Sequence, residues 1–114
     1  MPRDDLLLAE MIDAAEPAVT LVGDSTVGDL ESDRMLRDAL LWNFTVLGEA
    51  AAQLSDELKT RHPEVPWDNP TRLRNRIVHG YWSIDLEIVH TTAHGQLPEF
   101  LAQLREVAAG EATR

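Results

Sequence analysis

The densest run of reactive side chains in the sequence is Arg72-Leu73-Arg74-Asn75-Arg76-Ile77-Val78-His79-Gly80-Tyr81, which puts cations, an amide, an imidazole and a phenol close together. On a helix turning about 100° per residue, Asn75 and His79 are four apart and share a face, so the carboxamide can orient the imidazole through one ring nitrogen and leave the other for work. Arg74 and His79 are five apart, roughly 140° around the same helix, and would not point at one phosphate from an undistorted helix of a single subunit. Either the helix ends or bends between them, or another copy of the chain completes the site. The conflict favours a symmetric dimer whose copies meet along this helix, with a shared cleft at the two-fold axis.

Arginine and histidine without metal ligands suffice for cleavage of RNA through attack by its own 2′-hydroxyl. A neutral imidazole takes the hydroxyl proton, a protonated one supplies the leaving oxygen, and guanidinium groups offset charge growing on the phosphorus oxygens. Arginine suits that last task because its planar fork stays charged and can bridge two oxygens. DNA, lacking the 2′-hydroxyl, is not cut by this route. The competing reading of the same residues is structural: cations complement the negative end of a helix dipole, with His79 as a terminal hydrogen-bond donor.

The rest of the chain must position this run. Its 114 residues allow one domain, 1–110, with a short polar tail over 111–114. From Asp4 to about Leu21, apolar residues at spacings of three and four predict a helix kinked at Pro17; Gly23 stops it, and Ser25 or Thr26 caps a short piece through Glu31. Leu36, Leu40, Phe44, Leu47, Ala51, Leu54 and Leu58 predict one long helix from about Ser32 to Thr60, ended by His62-Pro63. Such a rod must lie against others, so the expected fold is an all-α antiparallel bundle of four to five helices. After the loop Glu64 to Pro70, with Asp68, Asn69 or Thr71 as cap, a helix over Thr71 to His79 is closed by Gly80. The last helix covers about Ile84 to Ala108, bent at Gly95 and Pro98, with Ile88, Val89, Phe100, Leu101, Leu104 and Val107 inward.

Composition narrows the chemistry. There is no cysteine, which excludes a disulfide framework, thiolate metal sites and a Cys nucleophile. The acidic start, Arg3-Asp4-Asp5, is unlike a secretory signal, and no stretch approaches the roughly 20 apolar residues of a membrane span, so a cytoplasmic location without membrane contact is expected. Net charge is −10, which argues against generic polyanion binding; between Arg61 and Arg76, however, four arginines and one histidine face two acids. His90 and His94 have a chelating spacing but no third ligand, so neither metal nor other cofactor is expected. Glu49, between Gly48 and a run of alanines, is expected to face inward and pair with Arg74 or Arg76 in a supporting role, Gly48 permitting close helix approach. Trp42, Trp67 and Trp82 are core or interface anchors, with base stacking by Trp82 as the alternative.

The string Arg74-Asn75-Arg76-Ile77-Val78-His79-Gly80-Tyr81 resembles the Arg-X4-His-X-Tyr signature of HepT-type toxins of the HEPN superfamily. Leu47-Gly48-Glu49-Ala50-Ala51, Pro63-Glu64-Val65-Pro66-Trp67 and Ile84-Asp85-Leu86 are similar to flanking blocks of that family, and the resemblance spans about Asp33 to Leu101. It implies an all-α homodimeric ribonuclease, the toxin of a toxin–antitoxin pair, with Arg74 and His79 at the catalytic positions, Asn75 at the polar position following the arginine and Arg76 beside it. It also implies a minimal nucleotidyltransferase antitoxin that transfers AMP from ATP onto Tyr81. Added nucleotidyl groups two residues from His79 would put negative charge and bulk where an RNA phosphate must sit. With so acidic a chain, the expected substrate is narrow, an exposed end or loop of a structured RNA such as tRNA. The alternative is a non-catalytic helical subunit that partners the nucleotidyltransferase through the same motif.

Overall fold

A helix is stable in water when one face carries enough apolar area to bury, and four segments of this chain meet that condition. The computed structural model describes residues 2–114 and contains no strand among them. In α1 (Pro2–Val22), Leu8, Met11, Ala15, Ala18 and Val22 are buried, and the helix passes through Pro17 without ending. Gly23 terminates it at a φ of +34°, in the left-handed region where a side chain would be strained. The short α2 (Val27–Ser32) starts with a reciprocal cap: Thr26 Oγ1 accepts from the Asp29 N–H at 3.2 Å, and the Asp29 carboxylate accepts from the Thr26 N–H at 2.9 Å.

The long helix expected from Ser32 to Thr60 is two helices. The first, α3 (Arg34–Gln53), stops where Leu54 and Ser55 turn extended, and α4 (Asp56–Arg61) restarts with Ser55 Oγ accepting from the Leu58 N–H. The break is held from outside by Asp4, which is buried and accepts from the Ser55 N–H at 3.0 Å and from Ser55 Oγ at 2.7 Å. Ser55-Asp56-Glu57 is a helix-start pattern in its own right, hidden in the sequence by the unbroken apolar stripe through Leu54 and Leu58.

α5 (Asp68–His79) begins three residues before the expected Thr71. None of Asp68, Asn69 or Thr71 caps it; Trp67 stands at the cap position, buried, with its indole N–H donated to the His62 carbonyl at 2.9 Å. A single 3-10 turn over Tyr81–Ser83 leads to α6 (Leu86–Thr91), a widened π turn over Thr92–Gln96, and α7 (Leu97–Ala112). The widened turn contains Gly95, and Pro98 stands in the first turn of α7, where a missing N–H costs nothing. Val89, Phe100, Leu101, Leu104 and Val107 are buried as expected, whereas Ile88 is exposed.

The four long helices form the antiparallel bundle. Asp4 reaches Ser55 and Arg3 reaches Gln53, so α1 runs opposite to α3. α5 runs opposite to α3, and α7 lies on α1 with its C-terminal end beside the end of α4. Their shared core includes Met11, Leu40, Leu41, Phe44, Leu47, Leu73, Ile77 and Leu104. α5 and α7 face each other across a cavity of about 380 Å³ floored by Phe44, Leu47, Leu73 and Phe100. None of the helices described is long and apolar enough to cross a membrane.

α7 continues two residues beyond Gly110, where a polar tail was expected to begin, because Glu111 is bound there. Its carboxylate accepts from the Arg61 guanidinium and lies 2.9 Å from His62 Nε2. Those two contacts, the guanidinium first, pull the Glu111 carboxyl from its usual 4.5 down to about 2. A depressed carboxyl stabilises the fold above its unfolded value and loses that contribution as pH falls through the folded one. We therefore expect Glu111→Gln to be less stable than wild type at neutral pH, and the gap to close between about pH 4.5 and 2, measured by urea unfolding across that range. A gap independent of pH would refute this account of the clamp.

Candidate active site

The reactive run sits where α5 crosses α3 at very short range. A β-carbon on Gly48 would fall inside contact distance of Arg74 Cβ, 2.5 Å from the Pro70 carbonyl oxygen and 3.0 Å from Arg74 Cγ, so only glycine allows this approach. Thr71 Oγ1 fastens the crossing by donating to the Gly48 carbonyl at 3.1 Å. Arg74 is thereby pressed lengthwise across α3, and its guanidinium meets Glu49 Oε2 at 2.8 Å. Glu49 is the expected partner of one of the two candidate arginines, and that arginine is Arg74, but the carboxylate is half exposed rather than facing inward as expected. Gln53 steadies Glu49, donating to Oε1 at 3.1 Å, and Arg3 of α1 donates to Gln53 at 2.8 Å.

Asn75 does not orient His79. Its Oδ1 accepts from the Arg74 guanidinium at 2.7 Å, and no hydrogen bond joins it to the imidazole among the described residues. The two are on one face as spacing requires, but the adjacent guanidinium is the closer donor and offers a charge-assisted bond. The Arg74 Nε–H is buried without a partner.

His79 ends α5 on the other flank. It is exposed and lines a shallow depression with Arg76, Ser83, Ile84, Asp85 and Ile88, while Arg74 turns towards α3. Within one subunit, then, the imidazole and the Arg74 guanidinium are not brought together. Gly80 closes the helix as expected, although with an extended φ of −151° rather than a left-handed one. A side chain there would crowd the Arg76 carbonyl and Ser83 Oγ, each at 3.3 Å.

Tyr81, in the 3-10 turn, donates its phenolic proton to Asp38 of α3. Asp38 is also paired with Arg34, one turn earlier, at 3.3 Å. The Tyr81 bond first, and the Arg34 and Arg37 charges after it, hold the Asp38 carboxyl below its ordinary range; the same bond, with burial, raises the Tyr81 phenol. Asp38, Arg34 and Arg37 do not stand out in the sequence, because the residue that gives them a role lies far along the chain. The only local sign is an acid placed among arginines at helical spacing.

Asp38 and Glu49 are eleven residues apart, close to three full turns, so both anchors lie on one face of α3 with Trp42 between them. Trp42 is 66% exposed and Val78, on the Arg74 side of α5, 50%. Trp82 is 93% exposed, and of the three indoles expected as core or interface anchors only Trp67 lies in the core. The His90 and His94 rings stack at 5.6 Å, with His90 Nε2 at 2.6 Å from the Ser25 carbonyl, and no cluster of three or more potential ligands occurs among the described residues. The cavity between α5 and α7 includes neither His79 nor Tyr81.

The sequence pattern described as ribonuclease HepT-like matches residues 11–107, most of the chain. The protein belongs to the HepT-like ribonuclease family. A candidate RNase of Methanocaldococcus jannaschii is 25% identical to it over 94% of this chain and 90% of that protein. The probable ribonuclease HepT of Thermococcus cleftensis is 22% identical over 88% and 91%, and a candidate RNase of Caldanaerobacter subterraneus 25% identical over 91% and 93%. No solved structure matches the chain. The HepT-like match thus covers α3, α5 and their crossing, together with the C-terminal half of α1 and the first two thirds of α7.

Because the crossing at Gly48 aims Arg74, Gly48→Ala must push α5 away from α3. We expect a loss of about 1–3 kcal/mol in urea unfolding, within the range for overpacked cores. Unchanged stability would show that the crossing tolerates a methyl group.

Proposed function

We propose that this HepT-family chain is a metal-independent endoribonuclease, active as a homodimer, and the toxin of a toxin–antitoxin pair restrained by AMP transfer onto Tyr81 from a minimal nucleotidyltransferase. The carrying observation is the division of the motif: in a chain of a ribonuclease family, the acid–base candidate His79 and the phosphate-binding candidate Arg74 leave α5 on different flanks. A second copy turned about a two-fold axis would bring the imidazole of one subunit towards the guanidinium of the other. The exposed Trp42 and Val78 beside Arg74 supply apolar area for such a contact.

In the proposed reaction, His79 removes the 2′-hydroxyl proton. The 2′-oxygen attacks phosphorus, the bond to the 5′-oxygen breaks and that oxygen is protonated, leaving a 2′,3′-cyclic phosphate. Arg74 offsets charge on the phosphorus oxygens, with Glu49 and Asn75 setting its direction and Arg76 adding local positive charge. At a net charge of −10, productive encounter depends on these few arginines, which favours a restricted target such as one exposed loop or end of tRNA.

One observation favours the second reading, a non-catalytic subunit for the nucleotidyltransferase: the Arg74 guanidinium is already engaged by Glu49 and Asn75. The two readings part on activity. We expect the purified chain to cut tRNA in the presence of EDTA and to spare 2′-deoxy oligonucleotides, and His79→Ala and Arg74→Ala each to lose about 100-fold or more in rate. If the site is shared between subunits, mixing these two inactive variants restores about a quarter of wild-type activity, because half the dimers are mixed and each carries one intact site. Folded variants as active as the parent would remove both residues from catalysis, and mixing without recovery would place the site within one subunit.

A further inference from the structure

The only tyrosine in the chain is already held as an acceptor would be held. Its hydroxyl donates to one oxygen of Asp38, Oδ1, while Arg34 takes the other, Oδ2, at 3.3 Å, so the carboxylate is fixed by a cation on one side and faces the phenol on the other. The ring is part exposed, which leaves the oxygen lone pairs open to an incoming phosphate. Arg37 stands beside the pair and is itself pinned, donating to the Leu30 and Glu31 carbonyls at 3.1 and 3.0 Å. In an acidic protein, this spot therefore combines a nucleophile, a proton acceptor and two guanidinium groups.

We propose that Asp38, oriented by Arg34, positions the Tyr81 hydroxyl as the acceptor of a nucleotidyl group and takes up its proton during transfer. This rests on the reading of Tyr81 as the AMP-modified residue, and adds what this chain contributes to that step. The phenolic oxygen attacks the α-phosphorus of ATP, the bond from that phosphorus to the pyrophosphate oxygen breaks, pyrophosphate leaves, and the phenolic proton passes to Asp38 and then to water. While Asp38 holds the proton, its hold on Arg34 weakens, and Arg34 with Arg37 lies beside the phosphodiester anion as it forms.

The charged groups acting on the pair are Arg34 and Arg37 on α3, together with Tyr81 and Asp38 themselves. Asp38 is held below the ordinary carboxyl range, so its proton-accepting form persists through neutral and mildly acidic pH. Without it, the reaction must wait for phenolate, whose ordinary ionisation lies near pH 10. That difference separates proton uptake from simple support of the turn.

The test uses the 114-residue chain, a minimal nucleotidyltransferase of the proposed partner class and ATP, followed by intact mass. Wild type is expected to gain whole AMP increments and Tyr81→Phe none. Asp38→Asn, which keeps shape and an acceptor oxygen, is expected to lower kcat at least about tenfold with the KM for the chain nearly unchanged, and Asp38→Glu to recover part of the loss. The ratio of the Asp38→Asn rate to the wild-type rate, in which the partner's own titrations cancel, should climb with pH towards the phenolate range. Phenolate absorbance, which reports Tyr81 alone among tyrosines, should titrate lower in Asp38→Asn. Label on Tyr81 at the same or a greater rate in Asp38→Asn, or a rate ratio independent of pH, overturns the role of Asp38 and leaves the modification intact. No label on wild type, or label persisting in Tyr81→Phe, overturns the modification reading and this inference with it.

Discussion

The close crossing of α3 and α5 at Gly48 is the constraint on which the candidate site depends. Helices usually pack with their axes 8–10 Å apart, held off by the side chains between them. Here one of those side chains is absent, and the β- and γ-carbons of Arg74 occupy its place. The arginine stem is thereby used as packing, and the direction of its guanidinium follows from the crossing. Thr71 adds a bond to the Gly48 carbonyl, so both helices are fixed at the point where the motif begins. Everything C-terminal to that point, including the flank on which His79 emerges, is set by how many residues of α5 remain before Gly80.

Two carboxylates on one face of α3 then divide the motif between them. Glu49 takes the arginine at one end, and Asp38 takes the tyrosine at the other. The first anchor belongs to a line of polar contacts running from Arg3 of α1 through Gln53 and Glu49 to Arg74 and Asn75. Such a line aims a long side chain, and it also neutralises it. For Arg74 to meet a phosphate, some of its attraction to Glu49 has to be exchanged, and the strength of binding is the difference between two charge-assisted contacts. The acidic balance of the chain acts in the same direction, since no surplus of cations makes up for a poorly placed anion.

Much of the architecture was legible in the sequence, for physical reasons that can be named. Apolar spacing found α1, α3 and α7, and turn and cap residues found α5, the Gly23 stop and a cap at Ser25 or Thr26, of which Thr26 is the one used, because burial and capping are local signals. Spacing alone also showed that Arg74 and His79 diverge, since five residues on a helix cannot share a face. The break at Leu54 and Ser55 was hidden: its cause is Asp4, some fifty positions away, and the apolar stripe continues across it. The early start of α5 escaped because buried Trp67, with an indole bond to the His62 carbonyl, replaces the polar cap that the sequence offers. Asn75 was assigned to the wrong neighbour, because a face shared with His79 says nothing about competition from the adjacent Arg74. Asp38 was missed altogether; its meaning arises only when α5 folds back along α3 and delivers Tyr81.

The same geometry bears on how activity and its restraint could be linked under the proposed reading. Asp38, Trp42 and Glu49 share one face of α3, and Val78 lies on the flank of α5 nearest to it. A surface that completes the cleavage site by pairing with a second copy would therefore run between the arginine anchor and the tyrosine anchor. A bulky anion added to Tyr81 would stand at the edge of that surface, two residues from His79. It could act in two ways at once, by repelling an RNA phosphate and by altering the contact that brings Arg74 of one subunit towards His79 of the other. Restraint through the tyrosine then needs no long-range conformational path. Tyr81, His79 and the exposed face of α3 already lie within a few turns of two crossed helices.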